Sequence, residues 1–414
     1  MPFPLPGLSP ALVRAVSEMG FATPTPIQLQ AVPAVLRGDD VLASAQTGSG
    51  KTAAFGLPLL QLMQTAATKG GPRRVRALVL VPTRELAAQV GEVLRALGQY
   101  QARPPKVAIV FGGVSINPQM MALRGGADLV VATPGRLLDL VQHNALRLSA
   151  VAHLVLDEAD RLLEPGFAEE LAALLALLPA RRQNLFFSAT LTPAVLALAQ
   201  GMLHQPVRLD VPADLADEPV ILQRVIAVDA ARRTALLRHL IKEHAWERVL
   251  VFVATRYAAV HVAEKLYQSG IYATAFYGGM GQGARTQVLA EFKNQQWDVV
   301  VTTDLASRGL DIAQLPVVLN YDLPRSAVDY LHRIGRTGRA GHSGLAVSFV
   351  SADTDAHFRL IEKRQHLSLP REQIAGFEPI VVPVDQATQP GTGGIKGKRP
   401  NKKDKLRAAA ASST

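Results

Sequence analysis

Residues 41–52, Val-Leu-Ala-Ser-Ala-Gln-Thr-Gly-Ser-Gly-Lys-Thr, restrict what this chain can fold into more than any other stretch. An apolar run, a loop of small residues and a helical pattern opening at Lys51 make a strand–phosphate loop–helix unit. Glycines at 48 and 50 allow backbone N–H groups to turn toward a polyphosphate, and the positive end of the helix adds to them. Lys51 suits the outer phosphates, and the Thr52 hydroxyl suits a place on Mg²⁺. Ala45 stands where the generic motif begins with Gly. Ala45, Gln46, Thr47, Gly48, Ser49, Gly50, Lys51 and Thr52 thus form a candidate nucleotide cradle. Its competitor is a chance match in a glycine-rich turn.

Around this unit, short continuous apolar runs alternate with helical patterns, as in a parallel sheet covered on both faces. Strands are expected at Val41–Ala45, Ala77–Val81, Val107–Phe111, Asp128–Ala132, His153–Leu156 and Asn184–Phe187. The same grammar restarts at Arg248–Val253, Thr274–Tyr277, Asp298–Thr302, Val317–Asn320 and Leu345–Val350. An acidic, proline-containing stretch separates the two sets. The expected organisation is therefore a domain over 1–206, a linker over 207–220, a second α/β domain over 221–370 and an extension over 371–414, the last part disordered.

The apolar run His153–Leu156 leads directly into Asp157-Glu158-Ala159-Asp160. Ligands of open α/β sheets sit at the carboxyl ends of strands, so these acids point into a site. Asp157 suits a water-bridged Mg²⁺, and Glu158 suits activation of an attacking water. Alone, such a cluster is as well explained by a solvated turn; downstream of a phosphate loop it is not.

With these residues in place the chain resembles the DEAD-box family of ATP-dependent RNA helicases over roughly residues 3–350. The resemblance implies two RecA-like domains, each a mostly parallel sheet flanked by helices, with a disordered basic tail. Gly20-Phe-Ala-Thr-Pro-Thr-Pro-Ile-Gln28 is similar to the family's adenine-reading motif, with Phe21 stacking on the base and Gln28 pairing with it. Pro82-Thr83-Arg84-Glu-Leu86, Gly112-Gly113 and Thr133-Pro134-Gly135-Arg136 match its RNA-backbone contacts in the first domain. Ser188-Ala-Thr190, with Asp160, matches the segment that couples hydrolysis to strand separation. In the second domain the resemblance assigns Thr303, Arg308 and Gly309 to RNA and Asp311 to the ribose. Gln282 and Arg285 also fall on RNA-contact positions, and Phe252 and Thr255 lie in the corresponding strand motif. His332-Arg-Ile-Gly-Arg-Thr-Gly-Arg339 matches a segment in which Arg336 and Arg339 reach the γ phosphate and His332 couples to the acidic motif. Tyr277 departs from the usual His, and Gly281 and Gly283 flank Gln282 without the usual charged neighbours. The wording of Pro82–Val90 leans toward bacterial RhlE-like members.

These readings imply ATP and Mg²⁺ as cofactors, and single-stranded RNA or a short duplex as partner. Ribosomal particles or RNA-degradation machinery are further expected associates, for a monomer working in the cytoplasm. The chain has no cysteine, which excludes disulfide scaffolds and thiolate chemistry and suits a reducing compartment. No apolar run reaches the ~18 residues of a membrane span. Net charge is +10, and seven Lys or Arg against one Asp lie between Lys396 and Arg407. A detachable basic tail of that kind suits nucleic acid first. A DNA-dependent translocase and an ATP-gated RNA clamp are the rival readings.

Overall fold

The computed structural model describes residues 5–45, 48–65, 73–211, 221–307, 315–338 and 343–380. Two seven-stranded sheets organise the described residues, and every strand pair is parallel. The first contains β1 (Val41–Ser44), β2 (Ala77–Leu80), β3 (Val107–Val110), β4 (Leu129–Ala132), β5 (His153–Asp157), β6 (Gln183–Ser188) and β7 (Val207–Asp210). Its order is β3-β4-β2-β5-β6-β1-β7. The second contains β8 (Ile221–Ala227), β9 (Val249–Phe252), β10 (Ala273–Phe276), β11 (Val299–Thr302), β12 (Val317–Asn320), β13 (Gly344–Val350) and β14 (Arg371–Glu372). Its order is β10-β11-β9-β12-β13-β8-β14. Counted from its own first strand, the second sheet repeats the first strand for strand.

The apolar runs are continuous because both faces of each strand are covered. Val79, Val155 and Leu185 enter one core cluster, together with Phe55 and Leu59 from helix Lys51–Thr65. Their neighbours Leu78, Leu80, Leu154, Leu156 and Phe186 enter a second core on the opposite face. At about 1.5–3 kcal/mol per fully buried aliphatic or aromatic side chain, the two faces fix the register, because a one-residue slip would exchange them.

Helices start where the strands end. Thr83 accepts from the Leu86 amide at 3.3 Å, and Thr255 accepts from the Ala258 amide at 3.1 Å. Side-chain caps of this kind satisfy orphan N–H groups at the carboxyl edge of the sheet, where the candidate site lies.

Two boundaries differ from the sequence expectation. Val207–Asp210, assigned to the linker, forms β7 and pairs with β1. Residues 212–220 of that linker lie outside the described residues. At the other end β14 pairs with β8, and Ile374 and Phe377 pack on a core of the second sheet, so the second unit runs past 370. The expected disordered tail falls beyond residue 380, also outside the described residues.

Candidate functional site

The carboxyl edge of the first sheet gathers the charged candidates. Gly48 and Gly50 have φ of 88° and 90°, the left-handed conformation in which glycine is unstrained. Lys51 is buried, and its Nζ donates to the Ala45 carbonyl at 2.9 Å, closing the loop on itself. Asp157 ends β5 and is fully buried; burial raises its carboxyl above the usual range while Lys51 pulls the other way. Glu158 adopts φ 52° and ψ 52°, a region non-glycine residues enter at a cost and mostly at functional sites. Burial and the neighbouring Asp157 raise its carboxyl, against the pull of Lys51 and of Arg336 from the second unit.

Gln28 lies at the first turn of helix Pro26–Arg37. Its Oε1 accepts from the Thr25 amide at 3.1 Å, and its Nε2 donates to the Gly50 carbonyl at 3.2 Å. A side-chain amide has two acceptor sites and two donors, so one of each is left for a base. A Cβ on Gly50 would strike Gln28, which gives that glycine a second reason beyond its φ. Phe21 is exposed. Asp160 accepts from the Thr190 hydroxyl at 2.6 Å, and its amide donates to the Ser188 hydroxyl at 3.3 Å. The Ser188 hydroxyl in turn donates to the Thr190 carbonyl at 2.8 Å. The three residues named together in the sequence do form one network.

The RNA candidates of the first domain line one cavity of about 420 Å³. Pro82, Thr83, Arg84, Gly112, Gly113, Thr133, Gly135 and Arg136 all contribute to its walls, and Gly278 and Arg285 close it from the second unit. Pro134 is buried as the first residue of helix Pro134–Gln142. The Arg84 guanidinium lies so close to Gly113 that any side chain there would collide with it. Gln282 opens helix Gln282–Lys293, and its Oε1 is buried without a hydrogen-bond partner. Thr303, after β11, is half-buried. Gln46, Thr47, Arg308, Gly309, Asp311 and Arg339 lie outside the described residues.

Two arginines are spent largely on protein partners. Arg285, assigned to RNA, is buried and spends its nitrogens on protein. Nε meets Glu85 at 2.6 Å, and Nη1 and Nη2 reach the carbonyls of Tyr277 and Ala306 at 3.0 and 3.2 Å. Arg333, in the same glycine-rich segment as Arg336, is paired internally. It holds Asp304 through two bonds of 2.6 and 2.7 Å, and Asn320 at 2.9 Å.

Arg161 and Asp329, on which the sequence reading is silent, meet between the two units. Arg161 donates to Asp329 at 3.2 Å and meets the His332 ring, while also holding Glu164 at 2.6 Å. Burial and Arg161 push the His332 imidazole down to about 4. His332 is therefore a neutral ring at neutral pH. Neither Arg161 nor Asp329 stands out in the sequence; only their meeting does.

Two family models match in tandem: DEAD/DEAH box helicase over residues 25–198, and helicase conserved C-terminal domain over residues 232–341. The DEAD-box ATP-dependent RNA helicase CshA of Bacillus cereus is 39% identical over 357 residues, covering 86% of this chain and 67% of the relative. The chain belongs to the DEAD-box ATP-dependent RNA helicases. This helicase spans about two thirds of the length of that curated relative. A DEAD box protein from Methanococcus jannaschii is 34% identical, with 90% of this chain and 99% of that one covered, at a TM-score of 0.51. S. cerevisiae Dbp5 bound to RNA and ADP BeF3 is 28% identical, with 89% and 94% covered, yet its TM-score is 0.77. Lower identity with higher likeness means that the helicase matches the RNA-bound chain more closely as a whole. Among its described residues no helix is long and apolar enough to cross a membrane.

Proposed function

We propose that the chain binds ATP between its two units, binds single-stranded RNA along the cavity they share, and uses hydrolysis to open short duplexes or remodel RNA–protein particles. The observation that carries this reading is the position of Glu158. It stands beside Asp157 and Lys51 on one unit while feeling Arg336 of the other. A half-buried carboxylate raised by its surroundings and a neighbouring acid suits a general base whose partner cation arrives from across the gap.

In this reading Lys51 neutralises the outer phosphates, and the amides of residues 45–50 cradle them. Gln28 reads adenine through its free donor and acceptor, Phe21 stacks on the base, and Asp311 holds the ribose. Arg336 and Arg339 oppose the γ phosphate. Asp160, Ser188, Thr190 and His332 relay the state of the nucleotide to the cross-unit contacts. The donor set at the acidic end is oxygen-only, with Thr52 and Asp157 beside the phosphate loop, which fits a hard cation such as Mg²⁺. When bound, that ion neutralises charge developing on the phosphates.

Thr83, Arg84, Gly112, Gly113, Thr133, Gly135 and Arg136, with Gln282, Thr303, Arg308 and Gly309, face the RNA backbone. Backbone contacts carry no base code, so sequence preference is weak. Arg285 is assigned to closing the two units rather than to RNA. The absence of cysteine supports a reducing cytoplasm. A monomer of the RhlE-like group, acting on ribosomal or RNA-degradation particles, completes the proposal.

The test is ATP turnover with RNA and with DNA of matched length and sequence, alongside separation of a short RNA duplex. Stimulation by RNA well above that by DNA, with strand separation that needs ATP, is expected. Equal stimulation by DNA would replace RNA with DNA as the partner.

A further inference from the structure

The cavity that carries arginines for a polyanion also carries carboxylates, and one sits where an outside anion belongs. Gly135 is the second residue of helix Pro134–Gln142. The positive end of such a helix, with its orphan amides, attracts anions. Here the anion is already present. The Glu170 carboxylate, from the first turn of the neighbouring helix Ala168–Ala176, packs against Gly135, and the Gly135 amide eases its charge. A Cβ on Gly135 would lie 2.7 and 2.9 Å from the two Glu170 oxygens, so only glycine admits this approach.

The next residue shows that the seat is only half filled. Arg136 is 8% exposed, yet its Nε and Nη1 have no hydrogen-bond partner. Its Nη2 donates to the Val114 carbonyl at 2.8 Å, and Asp139 stands 3.6 Å from Nε. A buried guanidinium with two unmade bonds on the wall of a cavity is suited to a tetrahedral oxyanion. Glu170 does not serve it. Burial and Asp139 raise the Glu170 carboxyl, and the Gly135 amide only partly offsets them. The carboxylate is thus a weakly settled occupant of a seat that a phosphate would fill better.

We propose that Glu170 is a resident stand-in for an RNA phosphate, which incoming RNA must displace from the Gly135 amide in order to reach Gly135 and Arg136 together. This rests on the RNA reading above and adds to it an affinity-setting residue. Competition from within weakens RNA binding and hastens release, because the carboxylate returns to the amide as the phosphate leaves. The neighbouring Glu169 is exposed and carries the same charge on the same turn without touching the seat.

The experiment measures binding of a labelled single-stranded oligouridylate to the full chain in the presence of a non-hydrolysable ATP analogue. Glu170→Ala is expected to tighten binding about two- to fivefold, the size of one charge at a helix end, with the change in the dissociation rate. Glu170→Gln, which keeps the shape and loses the charge, should fall between wild type and Glu170→Ala. Glu169→Ala should match wild type. Equal tightening in Glu169→Ala and Glu170→Ala would mean a general field effect and would overturn the proposal. Unchanged or weaker binding in both Glu170 variants would also overturn it, given nucleotide binding equal to wild type as evidence of folding. A wild-type chain that binds no RNA under these conditions would instead sink the RNA reading itself.

Discussion

Glu85 and Arg285 join the two units through a pair that is nearly free of solvent, with side-chain exposures of 9% and 5%. Replacing Glu85 by Ala leaves the Arg285 cation buried with one face unpaired, although the Tyr277 and Ala306 carbonyls and the Phe276 ring stay beneath it. Removing one partner of a buried pair costs about 3–5 kcal/mol, and those remaining contacts place this case near the lower end. The cost falls only on the closed arrangement, because with the units apart Arg285 faces water. At about 1.4 kcal/mol per factor of ten, closure should weaken roughly hundredfold. The assay is RNA affinity with a non-hydrolysable ATP analogue, together with RNA-stimulated turnover. Both should fall by one to two orders of magnitude, while ATP affinity without RNA is unchanged. The sign is what makes the test sharp. Glu85 lines the cavity, so a simple charge argument says that its removal should help an anion bind. Glu85→Ala with unchanged or tighter RNA binding would show that the pair does not govern closure.

Three further outcomes are expected, two from the geometry of the site and one from the charge of the tail. Lys51→Ala should lose ATP affinity, whereas Glu158→Gln should keep ATP bound and stall turnover; binding and single-turnover measurements side by side separate the two, and equal loss of affinity would merge the roles. His332 has its pKa lowered from about 6.5 to about 4, so the separated units bind its proton more readily than the closed form does. Its contribution to closure is full above about pH 6.5 and is lost as pH falls toward 4; RNA affinity in the analogue complex should decline over that window, and His332→Gln should remove part of the decline. Deleting residues 386–414 should leave RNA-free ATP turnover intact, weaken RNA binding and flatten its salt dependence, by about 0.7 in log–log slope per lost phosphate contact; a truncated chain with the full slope would make the tail a solubility device.

Eleven strands are legible, most of them because their residues are covered on both sides, which turns them into nearly unbroken apolar runs. The three that are not have different environments. β7 alternates, with only Leu209 of Val-Arg-Leu-Asp buried, as an edge strand should. β8 carries Gln223 and Arg224 in its middle, Arg224 being tied to Glu372 of β14, itself only two residues long. None of these offers a local period strong enough to read. The site divides in the same way. Lys51, Asp157, Glu158 and the Asp160–Ser188–Thr190 network announce themselves through short motifs at strand ends. Glu85–Arg285, Arg161–Asp329 and Glu170–Gly135 depend on how distant segments meet, and no pattern along the chain encodes that. Arg285 and Arg333 show why: a cation in a glycine-rich segment looks available until its internal carboxylate is seen.

The matching strand order of the two sheets has a geometric corollary. β1 and β8 hold equivalent places in their sheets, so the carboxyl end of β8 is the counterpart of the phosphate loop that follows β1. In place of a glycine loop the chain runs through Val228 and Asp229 into a short turn at Ala230–Arg232. Asp229 stands at the topological counterpart of that loop, and no glycine lies between Val228 and Arg232. The same frame thus carries a phosphate loop in the first unit and a glycine-free turn in the second.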